Sequence, residues 1–406
     1  MTLTNILQIL TKHRWLPYVF FGLLLLLNLS YGYYRLMYLN SGGDSQWYGT
    51  KLLWEGTDPF TAALQSPEWF MTAYPNYAHI LYYVLYPLSF FEWEQYKIIW
   101  FLVNIACFLF TLYAFVRWEK VPRSNVLILA SVMLLGSTFT NTLYQGQISI
   151  LIFCWASLAW IFRNHSGLLL IFLSLIISKY SFGLPIILGF FLAGYYRESI
   201  GAFAVNVGFA LVFALKFDLS LLDSLRLPFE VASQFTSGHG HSDLLTIYRL
   251  HHGQESFFGF NYFSVGAALL YALFALYCLV YNPGRRRIII ATLILSFPIL
   301  FHLTYDYVVL LAPMLIACSP RGLSKKYILI LAAFSAYFWI YPMIPKFLRI
   351  VFDVDIGIHP IDYFGNLYGK VFIILNLTLF IIVAFAILQE KASNKTAVNY
   401  NNGKGE

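Results

Sequence analysis

Four short stretches carry residue types that could do chemistry. The first is GGDSQWYGT, Gly42 to Thr50, which places Asp44 just beyond the first long apolar run. A carboxylate there must be solvated or partnered, and held near a hydroxyl it can act as a general base. Gly42 and Gly43 would let the backbone bend toward a ligand, with Tyr48 close by to contact it. A purely structural role for Asp44 would be the N-cap of a short surface helix.

The second is SKYSFGLP, where Lys179 interrupts an apolar stretch. A half-buried ammonium needs an anion: a lipid phosphate, or an Asp of this chain. The third is FHLTYDY, Phe301 to Tyr307, with His302 and Asp306 four residues apart. On a continuous helix the two share a face. His302 could then contact a phosphate or an acceptor, or the pair could simply fix two helices. The fourth is NTLYQGQIS, with Asn141, Gln145 and Gln147. Their amides can donate to and accept from hydroxyl groups, or cap and bridge helices.

Further polar residues read as structural. Asp58 in EGTDPF precedes a proline and suits a turn, and Pro75 bounds a tyrosine-rich stretch. His239, His241, Asp243, His251 and His252 match no strong zinc spacing, so a polar loop that closes over a substrate is expected and a metal is not. There is no P-loop, GxSxG, HExxH or convincing GxGxxG. The four cysteines, Cys107, Cys154, Cys278 and Cys318, all fall in apolar runs and form no CxxC pair.

The elements that must hold these residues are apolar. The 406 residues are 59% hydrophobic and 11% charged, where a soluble domain is nearer ~25% charged. Apolar runs of roughly 20 residues recur along the chain. The fold class is therefore all-α, a polytopic membrane helix bundle of about 12 transmembrane helices, without the alternating strands of a membrane barrel. The helices are expected at about 16–38, 96–117, 124–141, 147–162, 166–178, 181–196, 199–216, 260–281, 286–302, 306–319, 326–343 and 369–388. Residues 1–388 form one integral membrane domain with outer loops 39–95, 217–259 and 344–368. Residues 389–406 form a polar tail expected to be disordered.

The net charge of +7 does not indicate a nucleic-acid partner. Its excess sits in short loops such as RWEKVPR, NPGRRR and SPRGLSKK, which is the positive-inside pattern. That pattern places both termini in the cytoplasm and gathers the chemical residues at the outer face. It requires YPNYAHILYYVLYPL, Tyr74 to Leu88, to be interfacial or re-entrant. Polar residues collected at one surface favour an enzyme over a transporter of lipid-linked sugars, whose polar groups sit at the midplane. A non-catalytic assembly subunit and a lipid-glycan ligase also fit this composition.

At these motifs the chain resembles the polyprenol-phosphate-dependent glycosyltransferases of the GT-C architecture. It most resembles glycosyltransferase family 87, which includes mannosyltransferases that use polyprenol-phosphate-mannose. The resemblance runs over about residues 20 to 315. It follows Asp44 with Tyr48, EGTDPF, Tyr74-Pro75, Gly146-Gln147, Lys179 with Pro185, and the His302–Pro313 stretch. Asn76 stands where a second proline is expected.

The resemblance implies an inverting transfer, with mannose or another hexose or pentose as the sugar. Asp44 would deprotonate an acceptor hydroxyl, and Lys179 and His302 would hold the departing lipid phosphate. Tyr48, Asn141, Gln145, Gln147 and Asp306 would line the substrate. The expected partners are a polyprenyl-phosphate-sugar donor and a lipid or glycan acceptor at the outer face of the membrane, with no cofactor. The outer loops contain no N-x-S/T sequon, which leans toward a bacterial inner membrane.

Overall fold

The computed structural model describes residues 15–39, 45–65, 74–235, 262–298, 302–320, 322–340 and 367–390. Among these the chain is all-helical, with no strand. In order the helices are α1 (Leu16–Tyr38), α2 (Trp47–Trp54), α3 (Pro59–Gln65), α4 (His79–Val84), α5 (Trp93–Arg117), α6 (Arg123–Leu134), α7 (Thr138–Gln145), α8 (Ser149–Ile161) and α9 (Ser166–Ile176). They continue with α10 (Tyr180–Leu192), α11 (Tyr196–Lys216), α12 (Leu221–Phe235), α13 (Tyr262–Tyr281), α14 (Arg285–Leu295), α15 (Leu311–Ala317), α16 (Lys325–Ile340) and α17 (Leu367–Gln389). Two 3-10 segments, Tyr86–Leu88 and Thr304–Leu310, lie among them.

Three helices, α1, α5 and α11, are long and apolar enough to cross a membrane, or four spans if the bent pair α6–α7 counts as one. The count of twelve expected from apolar runs is not established by these lengths. Several helices that coincide with those runs are short: α8 and α10 have 13 residues and α9 has 11. At about 1.5 Å per residue they fall below the ~30 Å of a hydrocarbon core. Leu23, Leu26 and Leu27 on α1, Phe203 and Leu215 on α11, and Leu269, Leu276 and Leu279 on α13 are exposed. Apolar surface this extensive is rare on a soluble monomer and suits contact with lipid.

The core is built on the middle of the chain. All residues of α8 except its last are buried. Beside it, α14 from Ile288 to Leu295 and the run Tyr305–Ala317 are buried throughout. A helix that is apolar on every side belongs in such a position.

The break between α6 and α7 corrects the expectation of one helix over 124–141. The two meet at 71°, across Leu135, Gly136 and Ser137. Gly136 lies against α16: a Cβ there would sit 1.9 Å from the Trp339 carbonyl oxygen. The break frees carbonyls that lipid cannot satisfy. Asn28 of α1 supplies the donor, its Nδ2 bonding the Leu134 carbonyl at 2.9 Å while its Oδ1 accepts from Thr140.

The basic loops meet at one end of the bundle. Arg163 pairs with Glu119 at 2.5 Å, and Arg286 lies over the Trp160 ring and donates to the Pro320 carbonyl at 3.1 Å. Arg285 lies over Tyr195, and Glu390 receives the Ser324 N–H at 2.6 Å and approaches Arg287 at 3.6 Å. The opposite end holds α2, α3, α4 and α12. The Tyr74–Leu88 stretch contains only the six-residue α4 and a 3-10 turn, too short to cross a bilayer. The region expected as outer loop 217–259 contains α12, which packs on α11 and α3. The remainder of that loop, with the five candidate residues His239 to His252, lies outside the described residues, as do 344–366 and the tail from 391.

Candidate active site

The end away from the basic loops brings together side chains far apart in sequence. Lys179 sits where α9 hands over to α10, and it is the N-cap residue of α10. Its ammonium forms an ion pair with Asp306 Oδ1 and lies 3.3 Å from the Ser149 hydroxyl. Ser149, the first residue of α8, donates to the same Asp306 oxygen. The other carboxylate oxygen faces His302 Nδ1 at 3.2 Å and accepts the Leu303 backbone N–H at 3.3 Å. Asp306 thus closes its own 3-10 turn while meeting side chains from two other elements. The Lys179 side chain is 11% exposed and that of Asp306 3%, so neither charge could remain unpaired at small cost.

His302 is fully buried, with its ring against Phe182 and Phe297. Its Nε2 lies 3.2 Å from the Ser296 carbonyl, so both ring nitrogens face acceptors. A neutral imidazole donates from one nitrogen only. The ring therefore serves both partners only when protonated. The expectation that His302 and Asp306 share a helical face is corrected in detail: the turn is 3-10, and His302 precedes it.

From this cluster a polar chain leads toward the first loop. Gln147 Nε2 donates to the Tyr305 hydroxyl at 2.9 Å, and Gln147 Oε1 accepts from the Tyr77 hydroxyl at 3.0 Å. The Tyr77 N–H approaches the Tyr82 hydroxyl at 3.4 Å, which donates to Gln46 Oε1 at 2.8 Å. Gln46 Nε2 reaches the Tyr74 carbonyl at 3.4 Å. Two further bonds hold the frame: Ala78 N–H to the Ser178 carbonyl at 2.9 Å, and Trp100 Nε1 to the Gly146 carbonyl at 2.9 Å. Gly146 has φ of 75°, the left-handed cap that ends α7 and turns the chain into Gln147.

The candidates from the sequence therefore divide. Lys179, His302 and Asp306 come together, and Gln147 joins them through Tyr305. Asn141 makes a local contact of 3.5 Å to the Ser137 hydroxyl, and Gln145 is half-buried at the end of α7. Tyr48 is half-buried beside Trp47. Asp58 is a helix cap: its carboxylate accepts the Phe60 and Thr61 N–H groups at 2.9 and 3.2 Å. Pro75 is buried and packs toward Gly49, where a Cβ would lie 3.4 Å from the Pro75 Cβ. Asp44 lies outside the described residues; the nearest described neighbours, Ser45 and Gln46, are buried.

Ser149, Tyr77, Tyr82, Gln46 and Tyr305 join the site only through the fold. Ser149 and Tyr305 stand inside the GQIS and TYDY stretches, so their position is itself a signal. Tyr77 and Tyr82 are two of 30 tyrosines and carry none. The described residues contain no group of three or more His, Cys, Asp and Glu side chains able to hold a metal.

A chain whose described residues form helices and no strand, with lipid-compatible spans, basic loops at one end and a buried charged cluster at the other, is a polytopic membrane protein. A family model for glycosyltransferase family 87 matches residues 76–303, more than half of the chain. The protein belongs to that family and is a membrane glycosyltransferase. The matched stretch includes Gln147, Lys179 and His302; Asp44 and Asp306 lie beyond its two ends. Searches of curated proteins and of solved structures return no match.

Proposed function

We propose that this glycosyltransferase moves a hexose or pentose, such as mannose, from a polyprenyl-phosphate-sugar to a lipid or glycan acceptor, with inversion, in a GT-C arrangement. One observation carries the reading: Lys179 and His302 converge on a single carboxylate at the end of the bundle opposite the basic loops. A lipid-borne phosphate at that surface can share Lys179 with Asp306, whose second oxygen stays with His302. In this reading Asp306 is a positioning residue that keeps the ammonium aimed.

The reaction needs one base and one phosphate site. Asp44 takes the proton of an acceptor hydroxyl, and the resulting oxygen attacks the anomeric carbon from the face opposite the phosphate. The C–O bond to the phosphate breaks and its electron pair leaves on the phosphate oxygen. Lys179 stabilises that departing charge, and His302 acts through the Asp306 carboxylate that both share. General-base assistance of this kind is worth about 10²–10⁴-fold. The polar chain from Gln46 to Tyr305 links the loop beside Asp44 to the phosphate end and fixes their separation. In this reading Tyr48, Asn141, Gln145 and Gln147 bind sugar or acceptor hydroxyls. No cofactor enters this scheme.

The positive-inside rule supports basic loops in the cytoplasm and the site at the outer face, and the absence of a sequon in the outer loops supports a bacterial inner membrane. The test is transfer by purified protein from a synthetic polyprenyl-phosphate-mannose to a membrane extract, with the anomeric configuration of the product read by NMR. An inverted glycoside supports the reading. A retained one, or transfer only from nucleotide-sugars, contradicts it.

A further inference from the structure

The end of the molecule that carries the basic loops also has a cavity, and the transfer reaction makes no use of it. Its volume is about 340 Å³, and Arg163, Ser166, Gly194, Tyr195, Arg197 and Glu198 line it together with neighbouring loop residues. That volume lies within the ~300–1,000 Å³ of small-molecule sites. The cavity and Lys179 are separated by the length of α9, whose 11 residues span ~16 Å, so it is not part of the active site.

Its walls carry two arginines and one carboxylate, Arg163, Arg197 and Glu198. Arg163 is held by Glu119 at 2.5 Å, by the Trp160 carbonyl at 2.6 Å and by the Trp160 ring at 4.0 Å. Ser166 donates to Glu198 at 2.6 Å and ties the two lining loops together. Arg197 forms no ion pair among the described residues. Arg285 lies next to two of the lining residues: a Cβ on Gly194 would lie 3.6 Å from its Nη2, and it crosses the Tyr195 ring at 5.2 Å. Two helices, α9 and α11, begin here, and neither N-terminus has a side-chain cap. The free N–H groups of α9 add partial positive charge to the arginines, while α11 carries Glu198 in its own first turn, which offsets its share. Tyr196 in the lining is exposed, as a ring facing acyl chains would be.

We infer that this cavity binds the phosphodiester headgroup of an anionic phospholipid from the leaflet on the basic-loop side. Arg163, Arg197 and Arg285 set against Glu119 and Glu198 leave one positive charge at the cavity, which matches the single charge of a phosphodiester, and the open N-terminus of α9 and the exposed Tyr196 ring fit a phosphate that arrives on a lipid. The inference does not depend on the proposed donor or on Asp44.

The experiment is native mass spectrometry of the purified full-length protein. It is incubated with phosphatidylglycerol or phosphatidylcholine of matched acyl chains, with and without millimolar inorganic phosphate. The expected result is selective retention of phosphatidylglycerol, lowered in R197A/R285A by roughly 25-fold, about fivefold for each arginine. R197A alone, at an exposed residue, should show about a fivefold loss even if the double variant folds poorly. Equal retention of the two lipids, or unchanged retention in R197A, would overturn the inference. Displacement of the lipid by inorganic phosphate at comparable affinity would overturn the lipid assignment and leave a soluble anion as the ligand.

Discussion

At the residue scale the buried cluster holds few charges and shares them completely. Lys179 is open to two readings in the sequence, a lipid phosphate or an Asp of this chain, and the fold supplies the Asp from 127 positions downstream. The pairing is compatible with a phosphate contact, and it fixes what a mutant must show. Lys179→Ala leaves Asp306 buried and without its ammonium, at a cost of about 3–5 kcal/mol. It should also weaken donor binding at least tenfold, measured by titration of polyprenyl-phosphate-sugar against folded protein. Lys179→Arg should keep part of both, because a planar fork fits an ammonium site imperfectly. Intact donor affinity with a lowered melting temperature alone would make Lys179 purely structural.

His79 makes a separate, pH-dependent contribution from α4, outside the spans. Its ring is buried against Phe60 and Phe213, and its Nε2 faces a Ser224 hydroxyl that itself donates to the Ala210 carbonyl. Burial pushes the group down to about 3 from 6.5. Between those values the unfolded chain binds a proton that the folded chain refuses, so stability rises with pH across that window. It is fully present above the unfolded value and is lost as pH falls toward 3. The loss should approach about 1.4 kcal/mol per pH unit. Melting curves at pH 7.5 and 5 should show the decline in the parent protein and a flatter response in His79→Gln.

At the element scale the long helices are legible in the sequence and the interruptions are not. The apolar runs locate α1, α5 and α11 to within a few residues, because each is a long run whose few polar residues do not interrupt its hydropathy. The same uniformity hides the bend between α6 and α7. Leu135, Gly136 and Ser137 look like ordinary membrane residues, and the cause of the bend is contact with α16, far along the chain. Asn28 is hidden for the same reason, since its partners in α6 and α7 are more than 100 positions away. Asn28→Leu should therefore destabilise the protein by about 1–3 kcal/mol, the cost of leaving a buried carbonyl unmet. Gly136→Ala should be at least as damaging, because no side chain can move to admit its Cβ beside backbone. Thermal unfolding in detergent measures both, and wild-type stability in either would contradict the packing described at the break.

At the scale of the whole molecule the polar residues can be grouped from the sequence, while their partners come from the fold. Lys179, His302, Asp306 and Gln147 stand out because each interrupts or ends an apolar run. Tyr77 and Tyr82 are of a residue type common throughout this chain, and only their contacts mark them. Charge alone groups the basic loops, and the contacts of Arg163, Arg285 and Arg286 gather them at one end. A reporter fused after Arg287 should accordingly read cytoplasmic, and one inserted between Gly238 and Gly253 should read outside. The reverse at either position would invert the proposed orientation.

The central claim is that Asp44 activates an acceptor against a lipid-phosphate donor held near Lys179. Asp44→Asn keeps the shape and hydrogen-bonding reach of the carboxylate but cannot take the proton. The direct measurement is single-turnover sugar transfer by purified Asp44→Asn from synthetic polyprenyl-phosphate-sugar, with donor binding measured on the same sample. Donor affinity within about threefold of the parent, with transfer reduced by about 10²–10⁴-fold, is the predicted result. Transfer at a near-parental rate would contradict the account and move the search for the base to Asp58 and Asp306.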